Sequence, residues 1–209
     1  MDIELKDINV AYDGHQVLNH FSAIFPQGTV TGICGPSGVG KTTVLRLLAH
    51  LITPDSGEIS GLPGENRIAY VFQENRLLPW YDIRQNIAFV LESSEEHSRI
   101  EGILKMVGLS EVGDKRPDTL SGGMKKRVAL ARAFCKSADL LLLDEPFTGL
   151  DQALKRQIMA DFLKLWQKDR RTTVLVSHDA AELECLCTNR IDLSVIGSDK
   201  VDSIKESET

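Results

Sequence analysis

At 209 residues, 42% hydrophobic and 26% charged, the chain is long enough to bury most of the surface its unfolded form exposes, so it needs no disulfide staples. Its formal net charge of −6 argues against a nucleic-acid binder, which carries a basic excess. The start Met1-Asp2-Ile3-Glu4 is acidic rather than a basic stretch before an apolar one, and no run approaches the length of a membrane span. Cys34 and Cys135 sit in apolar patterns and Cys185-Leu186-Cys187 has no second pair to complete a zinc site, so a reduced, cytosolic chain is expected.

In chain order, Ile3, Leu5, Ile8 and Val10 are spaced apolar positions of a strand. Residues 17–25 continue extended to a turn at Pro26-Gln27-Gly28, and residues 29–34 form a β-branched run that ends in a glycine-rich loop. From Lys41 the period changes to that of a helix through Val44, Leu45, Leu47, Leu48 and Leu51, closed by Pro54 and Gly57. Residues 67–72 read as a strand. Residues 74–119 are polar and mostly helical, with helices over 84–91 and 95–107, and read as an inserted subdomain. A helix is expected over 122–134, a central strand buried on both faces at Leu140-Leu141-Leu142-Leu143, and an amphipathic helix over 152–168 carrying Leu154, Ile158, Phe162, Leu165 and Trp166. A strand over 172–177, a short helix over 180–186 and a strand over 190–196 follow, before a polar end from 197 to 209 that is expected to be disordered. Strands alternating with helices predict a mainly parallel α/β sheet, and the strand-rich start predicts a separate antiparallel layer.

Gly35-Pro36-Ser37-Gly38-Val39-Gly40-Lys41-Thr42 matches the phosphate-loop pattern in full, between a strand and a helix as that loop requires. Glycines let successive backbone N–H groups turn inward, and the helix adds its positive N-terminal end. Lys41 can reach the β- and γ-phosphates, and the Thr42 hydroxyl can ligate Mg²⁺. Nucleotide contacts are assigned to all eight residues and to Thr43. Asp144 and Glu145 end the leucine strand, at the edge where open α/β sheets bind ligands. Asp144 suits Mg²⁺, and Glu145 can orient or deprotonate a water in line with the γ-phosphate. Leu120-Ser121-Gly122-Gly123 opens the next helix. Ser121 is placed to cap it, and the Ser–Gly–Gly amides make a second anion-binding end. The basic run Lys125-Lys126-Arg127 reads as a solvated helix face.

These motifs, with Tyr12, Gln73, Leu150-Asp151 and His178 in order around them, resemble the ATP-binding subunit of an ABC transporter over residues 1–195. The resemblance implies the ABC ATPase fold: a P-loop NTPase core with an antiparallel β layer over 1–73 and 125–209, and a helical subdomain over 74–124 that carries the signature motif. It also implies that Tyr12 stacks on adenine, that Gln73 contacts Mg²⁺ or the attacking water, and that His178 hydrogen-bonds the γ-phosphate. Ser121, Gly122 and Gly123 would close on the ATP of a second subunit, with Asp151 at that interface. ATP and Mg²⁺ are the implied cofactors. The implied partners are a second ATPase subunit (a homodimer), integral-membrane permease subunits and an extracytoplasmic substrate-binding protein. The subunit would then lie peripherally on the cytoplasmic face of the inner membrane.

The sequence departs from the family at Met124, where glutamine is common, and at Thr148-Gly149, where Ser-Ala is common. Gln73-Glu74-Asn75-Arg76-Leu77-Leu78-Pro79-Trp80 looks like the nitrate, sulfonate and taurine importer branch, with Leu77, Leu78 and Trp80 offered to a permease. The alternatives are a soluble ABC-type ATPase, an exporter or lipid-transport subunit, and a nucleotide-binding regulatory module without turnover. Glu145 and His178 argue against the last.

Overall fold

The computed structural model describes residues 1–91 and 98–194. In chain order its elements begin β1 Ile3–Tyr12, β2 His15–Phe25, β3 Val30–Cys34, α1 Lys41–Leu48, β4 Ser56–Ser60, β5 Ile68–Val71, α2 Ile83–Ala88 and α3 Ser98–Met106. They continue α4 Gly122–Cys135, β6 Leu140–Asp144, α5 Gln152–Asp169, β7 Thr172–Val176, α6 Ala180–Leu186 and β8 Asn189–Asp192. The first residues of the helix read over 95–107, the end of the strand read over 190–196 and the whole polar end from 197 lie outside the described residues. The chain folds as two compact units, one of Met1–Pro63 with the segment from Thr172 onward, the other Gly64–Arg171.

The first unit holds an antiparallel and a parallel layer. β1 pairs with β2 and β4 antiparallel. The β1–β2 connection is Asp13-Gly14, both at positive φ, 49° and 80°, as a tight hairpin turn demands. Ile3, Leu5, Ile8 and Val10 are all buried, although the step from Leu5 to Ile8 breaks the two-residue period. A bulge there, with Asp7 at φ 55°, returns Ile8 to the core face. The apolar β3 runs parallel to β7 on one side and β8 on the other. α1 buries Thr43, Val44, Leu45, Leu47 and Leu48.

Strand β4 has no counterpart in the sequence reading, which took Gly57 as a helix stop. Its residues Ser-Gly-Glu-Ile-Ser carry no alternation; pairing with β1 makes it a strand. Gly57 stands at φ 101°, and an added Cβ would lie 2.5 Å from the Asp7 carbonyl oxygen, so only glycine fits.

In the second unit β5 and β6 pair in parallel. All four leucines of β6 are fully buried, as their uninterrupted run predicts. Phe134 of α4 stacks on Phe162 of α5 with ring centroids 5.4 Å apart. The α5 stripe is Ile158, Met159, Phe162 and Trp166, while Leu154 and Leu165 are half-buried. Asp82 caps α2 in a reciprocal capping box with Gln85.

Candidate nucleotide-binding site

In the first unit the phosphate loop joins β3 to α1. Gly35, Gly38 and Gly40 lie at φ 137°, 81° and 104°, values that L side chains rarely adopt. Gly40 is also closely covered by β2, where an added Cβ would stand 2.9 Å from the end of the Leu18 side chain and 3.1 Å from that of Val17. Gly40 is the N-cap of α1 and no side chain caps the helix, so its first-turn amides face the loop. Pro36, Ser37 and Gly38 are exposed, Val39, Lys41 and Thr42 half-exposed, and Thr43 buried. The Lys41 ammonium donates to the Gly35 and Pro36 carbonyls at 2.8 and 2.7 Å, which folds it over the loop.

His178 belongs to the same edge. β3 and β7 pair with Ile33 opposite Val176, so Gly35 and His178 each follow two residues past the last paired position of adjacent parallel strands. On either side of His178, buried Ser177 donates to Glu182 at 2.6 Å and Asp179 caps α6 on the Ala181 amide. Tyr12, 38% exposed, ends β1 beside the Asp13-Gly14 turn; the same hairpin meets the phosphate loop through Val17 and Leu18.

The second unit repeats the arrangement. β5 and β6 pair with Val71 opposite Leu143, so Gln73 and Glu145 each emerge two residues past the pair. Asp144 is buried and Glu145 half-exposed, while Gln73 is exposed. Glu145 stands at φ 49°, a left-handed conformation that costs a non-glycine residue about 1–3 kcal/mol and that clusters at functional sites. The Thr148 hydroxyl donates to Glu145 Oε2 at 3.0 Å. Ser121 caps α4 on the Met124 amide at 3.3 Å, as expected, leaving Ser121 and Gly122 exposed and Gly123 half-exposed at the helix end. Asp151 caps α5 on the Leu154 amide at 2.9 Å.

The basic run corrects the reading of a solvated face. Lys126 is buried, and its ammonium donates to the Phe72 and Gln73 carbonyls, each at 3.2 Å. Burial holds its pKa below the ordinary lysine value, while Asp144 and Glu145 act in the opposite sense. Arg127 donates to the Val107 and Gly108 carbonyls at 3.1 and 2.9 Å. The signal was present in the sequence: Lys126 shares the helical stripe of Ala129, Leu130 and Ala133, all buried. Sequence reading also missed Asn86. This buried amide accepts from the Leu78 amide and donates to the Leu78, Tyr81 and Asp82 carbonyls, and so fixes the loop that carries Trp80.

A glycine-rich loop leading into an uncapped helix, and acids at the end of a buried parallel strand, define a nucleotide-binding cassette. The chain belongs to the ABC transporter family, whose model matches residues 18–148. It is 37% identical over 197 residues to the Fe(3+) ions import ATP-binding protein FbpC of Haemophilus influenzae, covering 86% of this chain and 56% of that protein. It is 37% identical over 182 residues to the aliphatic sulfonates import ATP-binding protein SsuB 2 of Pseudomonas syringae, covering 87% of this chain and 77% of that protein. A probable sulfate/thiosulfate import ATP-binding protein CysA of Chlorella vulgaris is 38% identical over 87% of this chain and 83% of its own length. The fold is that of the dimeric bacterial ABC transporter cassette MJ0796, with a TM-score of 0.82 at 28% identity over 91% of this chain and 93% of that one. The same cassette in a post-hydrolysis state with ADP and Pi matches with a TM-score of 0.79, also at 28% identity, over 90% of this chain and 96% of that one.

Proposed function

We propose that this chain binds and hydrolyses ATP to drive an ABC importer of a small anion, of the nitrate, sulfonate or taurine type. The observation that carries the hydrolytic reading is a carboxylate, Glu145, set at the end of a buried parallel strand directly after Asp144, in a chain that also holds a complete phosphate loop. The anion rests on Leu77-Leu78-Pro79-Trp80 and on relatives named for sulfonate and for sulfate/thiosulfate, at 37% and 38% identity; the relative named for iron, at 37%, supports import without supporting an anion.

The residues have these proposed roles. The amides of residues 35–43 and the Lys41 ammonium bind the phosphates, and Tyr12 stacks on the base. Thr42, Asp144 and Gln73 are the proposed holders of Mg²⁺, and each carries a hard oxygen donor, a hydroxyl, a carboxylate and an amide oxygen, of the kind that ion takes. The ion, when bound, neutralises charge on the phosphates. Glu145 accepts a proton from the water that attacks the γ-phosphorus as the bond to the ADP oxygen breaks, and His178 hydrogen-bonds the γ-phosphate. Ser121, Gly122, Gly123 and Asp151 serve the nucleotide of a second copy, so that hydrolysis awaits dimer closure.

In this reading the chain has a core over 1–73 and 125–209 and a helical subdomain over 74–124, and it sits peripherally at the cytoplasmic face beside permease subunits, with an extracytoplasmic substrate-binding protein supplying cargo. Among the described residues no helix is long and apolar enough to cross a membrane.

Two substitutions test the reading. Glu145→Gln is expected to cut hydrolysis by about 10²-fold or more while ATP binding survives and dimers accumulate on a sizing column. Hydrolysis at the parental rate would remove Glu145 from the role of base. Lys41→Ala is expected to abolish binding in a fluorescent-nucleotide titration; unchanged affinity would overturn the phosphate-loop assignment.

A further inference from the structure

The segment from Glu145 to Asp151 is tied to Glu145 at one end and to the signature helix at the other. Glu145 sits at φ 49°. The Thr148 amide donates to the Glu145 carbonyl at 3.4 Å, and the Thr148 hydroxyl donates to the Glu145 carboxylate at 3.0 Å. One residue therefore closes the turn and holds the side chain that leaves it. Phe147, 1% exposed, anchors the turn in the core, and Asp151 fixes its far end as the cap of α5. On the other side the turn abuts the signature: a Cβ added at Gly123 would lie 3.3 Å from the Gly149 carbonyl oxygen.

We propose that Thr148 is a positioning residue for Glu145, fixing the direction of its carboxylate through the hydroxyl hydrogen bond. A carboxylate in a left-handed residue has no neighbouring turn of helix to restrict its rotamers, so a donor placed three residues on supplies that restriction. Threonine suits the task because its branched Cβ limits χ1 and so aims the hydroxyl. The proposal rests on the reading of Glu145 as the base. It assigns a role to a position where this chain departs from the common Ser-Ala, and it makes the hydroxyl, shared by serine and threonine, the functional part.

The test is steady-state ATP hydrolysis by the full chain carrying Thr148→Val, Thr148→Ser or Thr148→Ala, each alone and combined with Glu145→Gln. Losing one hydrogen bond to a charged group corresponds to about a tenfold fall in kcat for Thr148→Val and Thr148→Ala. KM for ATP should stay within about twofold, because the bond is not to the nucleotide. Thr148→Ser should keep most of the parental kcat. In the Glu145→Gln background Thr148→Val should change the residual rate by less than about twofold, since the acceptor has lost its charge and its function.

Parental kcat in both Thr148→Val and Thr148→Ala overturns the proposal, as does an equal loss in Thr148→Ser, which would assign the effect to turn packing. A full further loss on top of Glu145→Gln also overturns it. If Thr148→Val does not fold, Thr148→Ala with its smaller side chain gives the same readings. Failure of the parent reading looks different: Glu145→Gln would then hydrolyse ATP at the parental rate whatever stands at 148.

Discussion

Lys126 illustrates how far a single residue's role can lie from its apparent chemistry. In a run of three basic residues on a helix, an exposed charged face is the usual outcome. Here the middle residue turns inward, and its ammonium joins the Phe72 and Gln73 carbonyls at the end of β5. Burial opposes the charge, and the acids Asp144 and Glu145 support it. Replacement by an uncharged donor should therefore be tolerated, and reversal of the charge should not. Lys126→Gln keeps an N–H donor and sheds a buried charge, so its stability is expected within about 1 kcal/mol of the parent. Lys126→Glu would face two carbonyl oxygens and join two acids; it is expected to lose about 3 kcal/mol or more, or not to fold. Urea denaturation of both variants decides the matter. A solvated lysine would make both substitutions nearly neutral, the outcome that the sequence run by itself suggests.

At the scale of elements, legibility followed the source of each element's stability. β6 was legible because burial on both faces leaves only apolar residues permissible, and four leucines record that. The phosphate loop was legible because its backbone demands glycine at fixed spacings. Thr148 and Asn86 carried no comparable signal, since their partners are a carboxylate in the same turn and a set of loop carbonyls that the sequence does not mark. β4 was not legible because its strand character comes from β1: its residues alternate in neither polarity nor burial, and its specification lies in one close backbone approach at Gly57. Gly57→Ala should therefore act on an element that no propensity scale would assign. The added Cβ meets the Asp7 carbonyl at 2.5 Å and the residue is held at φ 101°, so about 2 kcal/mol or more of stability is expected to be lost as β4 shifts off β1. Thermal melting together with loss of amide-exchange protection at Lys6 and Glu58, paired in that register, would report it. A melting point equal to the parent's would mean that the bulge at Asp7 yields without cost.

On the scale of the whole molecule, the subunit's proposed output is work on a membrane partner, and one surface of the second unit is suited to receive that partner. Trp80 and Phe89 are each 63% exposed, and Tyr81 lies between them with ring centroids 6.4 and 6.3 Å away. A cluster of exposed aromatics suits a surface that a partner covers. The segment bearing Trp80 is not loose. Asn86 holds it through four hydrogen bonds, and Arg76, whose guanidinium lies 4.0 Å over the Phe72 ring, holds the stretch that begins at Gln73. A partner pressing on Trp80 would thus be linked through a braced segment to Gln73, which the proposed chemistry places at the metal or the water. Trp80→Ala removes the anchor without touching Asn86 or Gln73. Hydrolysis by the isolated subunit is expected to stay within about twofold of the parent, whereas the rate increase on assembly with the cognate permease in proteoliposomes should fall about tenfold or more, the range for truncating a central aromatic anchor. Equal stimulation of parent and variant would move the docking surface elsewhere. A parallel fall in both rates would make Trp80 a support of the fold, which its exposure argues against.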